Sequence, residues 1–195
     1  MFTLTTNKQL YFGNCSNCEA NCCNGKNGII FSQIILEDFK KVYERFPIVF
    51  IFGNLNYIKP VILLTNGKDY CPYLKDYKCT IYENRPTVCR LYPLSPNLDN
   101  QIYFDLNCPE IAYKKDNNNL MFKNNKLSEN FHNDIFETYQ DKYVKTHLEF
   151  EKLEKKDFKK IKTINNLDFY QYIGKVDSKF FKYHQDSLKN LDNLK

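Results

Sequence analysis

Eight cysteines constrain this chain more than any other feature of its sequence. All of them lie within the first 108 of its 195 residues. Thiols gathered this densely in a reducing compartment are usually metal ligands, and the metal then influences both folding and function. We therefore predict a metal-binding unit in the N-terminal part of the chain, with these candidate ligands: Cys15, Cys18, Cys22, Cys23, Cys71, Cys79, Cys89 and Cys108.

The compartment decides whether these cysteines bind metal or form disulfides. Residues 1–14 show neither the basic stretch nor the apolar stretch of a secretion signal. The longest apolar runs, Ile48–Phe52 and Val61–Leu64, are far shorter than the roughly 20 residues that a membrane-spanning helix needs. We therefore expect a cytoplasmic protein without a membrane segment. Disulfides and buried or redox-sensing thiols are the alternatives to metal ligation.

The charge of the chain is mildly basic, with a net charge of +5. Much of the lysine excess lies between Lys152 and Lys162, where it alternates with Glu154 and Asp157. Such mixing of signs is typical of a solvated helix face. It does not indicate nucleic-acid binding, and residues 1–30 carry only Lys8 and Lys26 as cations.

Local patterns predict an α+β fold with a small cysteine-rich core. Residues 11–26 contain few apolar side chains and predict a loop that a metal would order. The predicted strands and helices of the core are a strand at 28–36, a helix at 37–46, a strand at 58–65 that returns through the Asn66-Gly67 turn as a hairpin over 70–74, helical turns at 84–90 and a strand at 102–106.

The sequence changes character after the polar run Asp116–Asn119. Apolar residues then recur at three- and four-residue steps, which predicts an amphipathic helix at 128–154 and a second at 177–194. We predict that His147 and His184 on these helices are core residues rather than ligands. The expected division is a metal-binding domain at 1–115 and a helical C-terminal extension, packed on it, at 116–195.

The cysteine spacing supports metal binding but leaves the metal open. Cys15 and Cys18, separated by two residues, can converge on one centre through a tight turn. In an extended segment the neighbours Cys22 and Cys23 would point to opposite sides, so one of them would face a different centre or stay a free thiol. Eight sulfurs suffice for two four-coordinate sites, which would hold two zinc ions, one iron-sulfur cluster and one zinc, or two clusters. A single cluster with four supporting cysteines is equally compatible.

The motif Cys79-x-Ile-Tyr-x-x-Arg85-Pro-x-x-Cys89-Arg90-x-Tyr92-Pro, with the N-terminal cysteine run, Cys71-Pro-Tyr-Leu and Cys108, resembles the YkgJ-type CxxCxxCC cysteine-cluster family. The resemblance covers roughly residues 12–110 and implies chelation of zinc or iron. This chain has three residues between Cys18 and Cys22, where the family name has two.

The same motif is similar to the cysteine-rich part of flagellin lysine N-methylases. That similarity implies, as an alternative, methyl transfer from S-adenosylmethionine to a lysine of a protein such as flagellin. In either case Arg85, Arg90 and Tyr92, which lie beside the cysteines in the sequence, are candidate cofactor-binding residues. Either arginine would neutralise a thiolate-rich site or grip a substrate carboxylate. Tyr92 would contact a substrate or pack in the core.

Two further functional classes fit the cysteines. A zinc-dependent binding module would use them only to stabilise a recognition surface. A thiol redox sensor would use Cys22 and Cys23 as a reactive pair, because strained disulfides are the labile ones.

Overall fold

A computed structural model describes residues 2–3, 9–13, 15, 18–53, 57–95, 102–112, 119–129, 131 and 133–194. These residues form an α+β fold, as predicted. The strands are β1 (Phe2–Thr3), β2 (Leu10–Phe12), β3 (Phe31–Gln33), β4 (Ile48–Phe52), β5 (Ile58–Leu63), β6 (Leu74–Lys75), β7 (Lys78–Cys79), β8 (Leu94–Ser95), β9 (Tyr103–Asp105), β10 (Ile111–Ala112), β11 (Asn119–Lys123), β12 (Lys126–Leu127), β13 (Phe158–Ile164) and β14 (Leu167–Tyr172). The α-helices are α1 (Leu36–Val42), α2 (Thr87–Leu91), α3 (Asn133–Phe150) and α4 (Lys179–Ser187). None of the helices in the described ranges is both long enough and apolar enough to span a bilayer.

The named strands pair in antiparallel fashion and form several small sheets. A five-stranded sheet has the order β13-β14-β4-β5-β3, and a four-stranded sheet has the order β10-β2-β11-β12. The order β1-β9-β8 makes a third sheet, and β6-β7 is a separate hairpin. The five-stranded sheet thus combines strands from both parts of the sequence. The division near residue 115 remains a prediction, and residues 113–118 lie outside the described part of the chain.

Two apolar cores flank α3. In the first, α1 and α4 pack on the five-stranded sheet through Phe39, Phe50 and Phe181. In the second, Tyr139 of α3 packs with residues of α2, β9 and β11 such as Phe104. Phe150, at the end of α3, belongs to the first core, so this helix joins the two. Burying such aromatic side chains is a major source of stability.

The predicted hairpin after β5 is wrong. The turn at Asn66 and Gly67 does form, with the Asn66 side chain accepting hydrogen bonds from the backbone N–H groups of Lys68 and Asp69. The chain then leaves the sheet, because β5 already pairs with β4 on one side and with β3 on the other. Tyr70 forms an isolated bridge with Asn24 instead.

The C-terminal region is helical at α3 and α4, and a hairpin that the sequence analysis did not predict lies between them. Strands β13 and β14 turn at Asn165 and Asn166, which both have positive φ, 47° and 65°. This conformation suits a two-residue hairpin turn. Lys159, Lys160 and Lys162 therefore lie on a strand, and not on the solvated helix face that their charge pattern indicated.

The remaining predicted elements exist with shorter bounds. The strand at 28–36 is β3, the helix at 37–46 is α1, and the strand at 102–106 is β9. The helix at 128–154 is α3, and that at 177–194 is α4 continued by a 3-10 helix at Leu188–Asn193.

His184 of α4 is the fully buried core residue that the sequence predicted. The backbone N–H of Tyr172 donates to Nε2 over 3.0 Å, so Nδ1 carries the proton and donates to the carbonyl of Ile48 over 2.7 Å. The imidazole thereby joins α4 to strands β14 and β4. Burial lowers the pKa of His184 to about 4. His147 instead packs edge-on against Tyr57, with ring centroids 4.7 Å apart.

We expect His184 to make the fold sensitive to acid. The pKa of His184 is about 4 in the folded chain, against 6.5 for an unperturbed histidine such as that of the unfolded chain. Between pH 4 and pH 6.5 the unfolded chain therefore binds a proton more readily than the folded chain does. Stability should fall by about 3 kcal/mol as pH drops through that window. His184→Gln, which cannot titrate, should remove this part of the pH dependence, and His147→Gln should retain it. Urea unfolding at several pH values measures the difference; equal pH dependence in wild type and His184→Gln would contradict it.

Candidate metal centre

A tightly curled segment presents the first cysteines. Ala20 is left-handed with φ 55° and leads into a 3-10 helix at Asn21–Cys23. The backbone N–H of Cys23 donates to the Ala20 carbonyl over 2.8 Å. In this conformation the sulfurs of Cys22 and Cys23 are 3.9 Å apart. The extended backbone assumed for this pair is therefore wrong, although the two thiols have different further neighbours.

Backbone hydrogen bonds anchor this segment to the chain before Cys71. The N–H of Cys71 donates to the carbonyl of Cys23 over 2.8 Å, and the N–H of Gly25 donates to that of Asp69 over 2.9 Å. A Cβ on Gly25 would lie 2.6 Å from the Asp69 carbonyl oxygen and 2.6 Å from Oγ1 of Thr65. Only glycine fits this approach without a shift. Part of the predicted loop at 11–26 is thus ordered by protein contacts, and Tyr11 and its neighbours belong to β2.

Three further local structures place Cys79, Cys89 and Cys108. Cys79 pairs with Leu74 in the β6-β7 hairpin, whose turn residues Asp76 and Tyr77 have positive φ. Cys89 lies on α2, where Oδ1 of the fully buried Asp38 accepts a hydrogen bond from the Thr87 hydroxyl over 2.8 Å.

Cys108 lies in the turn after β9. Its N–H donates to the Asp105 carbonyl over 3.1 Å. Just beyond it, the Glu110 carbonyl accepts from the N–H of Gly13 over 3.0 Å. This pairing brings the chain around Cys108 next to the chain that leads to Cys15.

The thiols surround a cavity of about 640 Å³. Seven of the eight predicted ligands line it, and the eighth, Cys108, is buried beside it next to the lining residue Asp105. All eight are free thiols. Among the residues that the structure describes, no three His, Cys, Asp or Glu side chains stand in a ready-made arrangement around one metal ion. The lining thiols are those of Cys15, Cys18, Cys22, Cys23, Cys71, Cys79 and Cys89.

Burial keeps several of these thiols protonated. It raises the pKa of Cys89 and that of Cys108 to about 12 each. The hydrogen bond with Cys23, followed by burial, raises the pKa of Cys22. At Cys23 the contact with Cys22 lowers the pKa, but a hydrogen bond with Cys71 and burial outweigh it. A metal must therefore displace protons to bind, and its affinity falls as the pH falls.

Arg85 supplies positive charge to the cavity, whereas Arg90 does not line it. The Arg85 guanidinium stacks 3.5 Å above the ring of Tyr82, and its Nε donates to the Tyr82 carbonyl over 2.9 Å. Burial raises the pKa of the Cys15 and Cys89 thiols, and the positive charge of Arg85 partly offsets this rise. Arg90, on the same stretch of chain, is exposed.

Tyr92 lines the cavity together with Asp105, which the sequence analysis missed. The Tyr92 hydroxyl donates to Oδ2 of Asp105 over 2.9 Å, and the N–H of Asn107 donates to Oδ1 over 3.0 Å. Burial, and then the charge of Asp105, raises the pKa of the Tyr92 phenol, so it remains a donor. A single aspartate belongs to no recognisable sequence motif. The one available signal was its position three residues before Cys108.

The residues of the cavity fit the metals that bind to all-thiolate sites. Zinc and iron-sulfur clusters are both held by four cysteine thiolates. A model of the CxxCxxCC family, described as a "Putative zinc- or iron-chelating domain", matches residues 14–119. The chain belongs to this family. The match includes all eight cysteines and covers just over half of the chain. No curated protein and no solved structure matches the chain.

Membership of the CxxCxxCC family supports metal binding by the cysteines, which the spacing had predicted. The family description names both zinc and iron, and the cysteine spacing fits either metal. The role of each cysteine as a ligand remains a prediction. The cavity brings seven of the eight thiols to one place.

We predict that Gly25→Ala destabilises the fold by about 1–3 kcal/mol, because the new methyl group collides with the Asp69 carbonyl. It should also lower metal content, since the Cys22 and Cys23 thiols move with this segment. Lys26→Ala, at the exposed neighbouring position, should change stability by no more than about 0.5 kcal/mol. Denaturant unfolding and metal analysis of both variants provide the test, and equal behaviour would refute the close approach.

Arg85→Gln should weaken metal binding about 10- to 100-fold, because it removes a cation beside the thiolates. Arg90→Gln is the matched control and should bind metal like the wild type. Competition against a coloured chelator measures both affinities. If the two variants lose affinity equally, Arg85 has no special role.

Proposed function

We propose that this protein holds a 4Fe-4S cluster through its cysteine thiolates. The observation that carries the proposal is that seven of the eight cysteine thiols line one cavity, of about 640 Å³. Four cysteine thiolates are the ligands of a 4Fe-4S cluster, and a cavity of this volume has space for one. Zinc in the same thiols is the alternative.

The chain itself supplies the surroundings that such a cluster needs. Ile29, Phe46 and Leu64 form an apolar wall of the cavity, which limits the access of water. Arg85 offsets negative charge, and both charge and solvent access tune the reduction potential of a cluster. When bound, the cluster would supply one-electron redox chemistry or structural support.

The test is metal analysis of protein purified without oxygen. We expect iron and acid-labile sulfide in equal amounts, about four of each per cluster, with a brown colour. The variant Cys89→Ser should lower both, and Thr87→Ser on the same helix, which keeps its hydroxyl, should retain both. Zinc without iron would refute the cluster but leave chelation intact. Folded protein without any metal would refute both.

Methyl transfer from S-adenosylmethionine to a lysine of flagellin stays a prediction from the resemblance. No contact among the described residues favours it over metal binding alone. The binding-module and redox-sensor alternatives likewise stay predictions.

A further inference from the structure

Backbone pairing, packing and the proximity of the thiols together suggest a division of the cysteines into two groups of four. We define the inner set as Cys23, Cys71, Cys79 and Cys89, and the outer set as Cys15, Cys18, Cys22 and Cys108. Four thiolates are the number that one zinc ion or one 4Fe-4S cluster requires. The observations that separate the sets come from different parts of the fold.

The inner set is held together by the chain around Cys71. The N–H of Cys71 donates to the Cys23 carbonyl over 2.8 Å, and the thiols of these residues are also hydrogen-bonded. The N–H of Leu74 donates to the Cys71 carbonyl over 2.9 Å, and Leu74 pairs with Cys79 across the β6-β7 hairpin. Cys23, Cys71 and Cys89 all pack in the first apolar core.

The outer set is held together by the pairing of β2 with β10. Phe12 pairs with Ile111, and the N–H of Gly13 donates to the Glu110 carbonyl over 3.0 Å. Cys15 follows Gly13 by two residues and Cys108 precedes Glu110 by two, so both lie at the same end of this sheet.

The other members of the outer set lie close to Cys108. The thiols of Cys18, Cys15 and Cys22 are all within electrostatic range of the Cys108 thiol. Cys15 is exposed, and neither it nor Cys18 packs in either of the two cores that flank α3. The outer set therefore reaches solvent at Cys15, while Cys108 of the same set is buried.

The two sets meet at adjacent residues. Cys22, assigned to the outer set, is also within electrostatic range of Cys89 of the inner set, and its sulfur is 3.9 Å from that of Cys23. Arg85 lies at this border, within range of Cys15 and Cys22 on one side and of Cys89 on the other. One guanidinium thus serves both sets.

We infer that the eight thiols form two separate four-thiolate sites, the inner set and the outer set, with the boundary between Cys22 and Cys23. This inference rests on the proposed function only in that the thiols bind metal. The inner site, three of whose four thiols pack in the first apolar core, supports the fold. The outer site, open to solvent at Cys15, releases its metal to a chelator first.

The decisive comparison is between Cys22→Ser and Cys23→Ser. Metal is stripped from each purified chain and replaced with Co²⁺, whose sulfur-to-cobalt absorption reports thiolate binding. Native mass spectrometry counts the ions. We expect two ions per chain in the wild type and one in each variant. The ion retained by Cys22→Ser should resist a chelator longer than the ion retained by Cys23→Ser.

Crossed double variants test the membership of each set. Cys22→Ser with Cys15→Ser removes two thiols from the outer set and should still leave one ion. Cys22→Ser with Cys79→Ser removes one thiol from each set and should leave none. If the first pair also loses all metal, or if the wild type binds a single ion, the division is wrong.

Folding and metal identity are controlled separately. If Cys23→Ser does not fold by circular dichroism, Cys79→Ser in the exposed hairpin replaces it as the test of the inner set. Iron and sulfide in the protein as isolated test the proposed cluster, whereas the cobalt count tests the division. Two cobalt ions in a chain isolated without iron or sulfide would refute the cluster and uphold the two sites.

Discussion

The pairing of the backbone around Cys23 with the backbone around Cys71 is the interaction on which the metal centre depends. The N–H groups of Gly25 and Cys71 both find carbonyl partners across this contact. Buried backbone groups must be paired, so the contact fixes the path of a segment that has few apolar side chains of its own. The absence of a side chain at Gly25 permits the approach, so protein contacts contribute to the shape of this cysteine-rich segment.

Much of the fold was accessible from local sequence patterns, and the rest depended on contacts between distant residues. Apolar spacing located α1, α3 and α4 because helix periodicity is local. The hairpin of β13 and β14 was missed because the lysines between Phe158 and Ile164 suggested a helix face. Asn165 and Asn166 at its turn are typical of a two-residue hairpin turn. The charge pattern of the lysines nevertheless favoured the helix interpretation. No local pattern shows that β14 pairs with β4.

The same distinction applies to the site. Cysteine spacing identified the candidate ligands, and Arg85 and Tyr92 of the motif around Cys89 line the cavity. Arg90 shares the motif, but the turn of α2 leaves it exposed. Asp105 reaches the cavity only because β9 ends there. The different surroundings of Cys22 and Cys23 follow from a 3-10 turn and from long-range pairing, and spacing encodes neither.

Strand β14 has a consequence for the part of the chain that defines the family. The family match ends at residue 119, whereas β4 within it pairs with β14 from beyond that point. Phe50 on β4 is covered by Phe158, Phe181 and His184, which all lie in the C-terminal region. Without that region, β4 would present an unpaired apolar edge, which recruits strands from other chains. The C-terminal region thus covers a strand edge, within the part of the chain that the family model matches, that would otherwise be open to pairing.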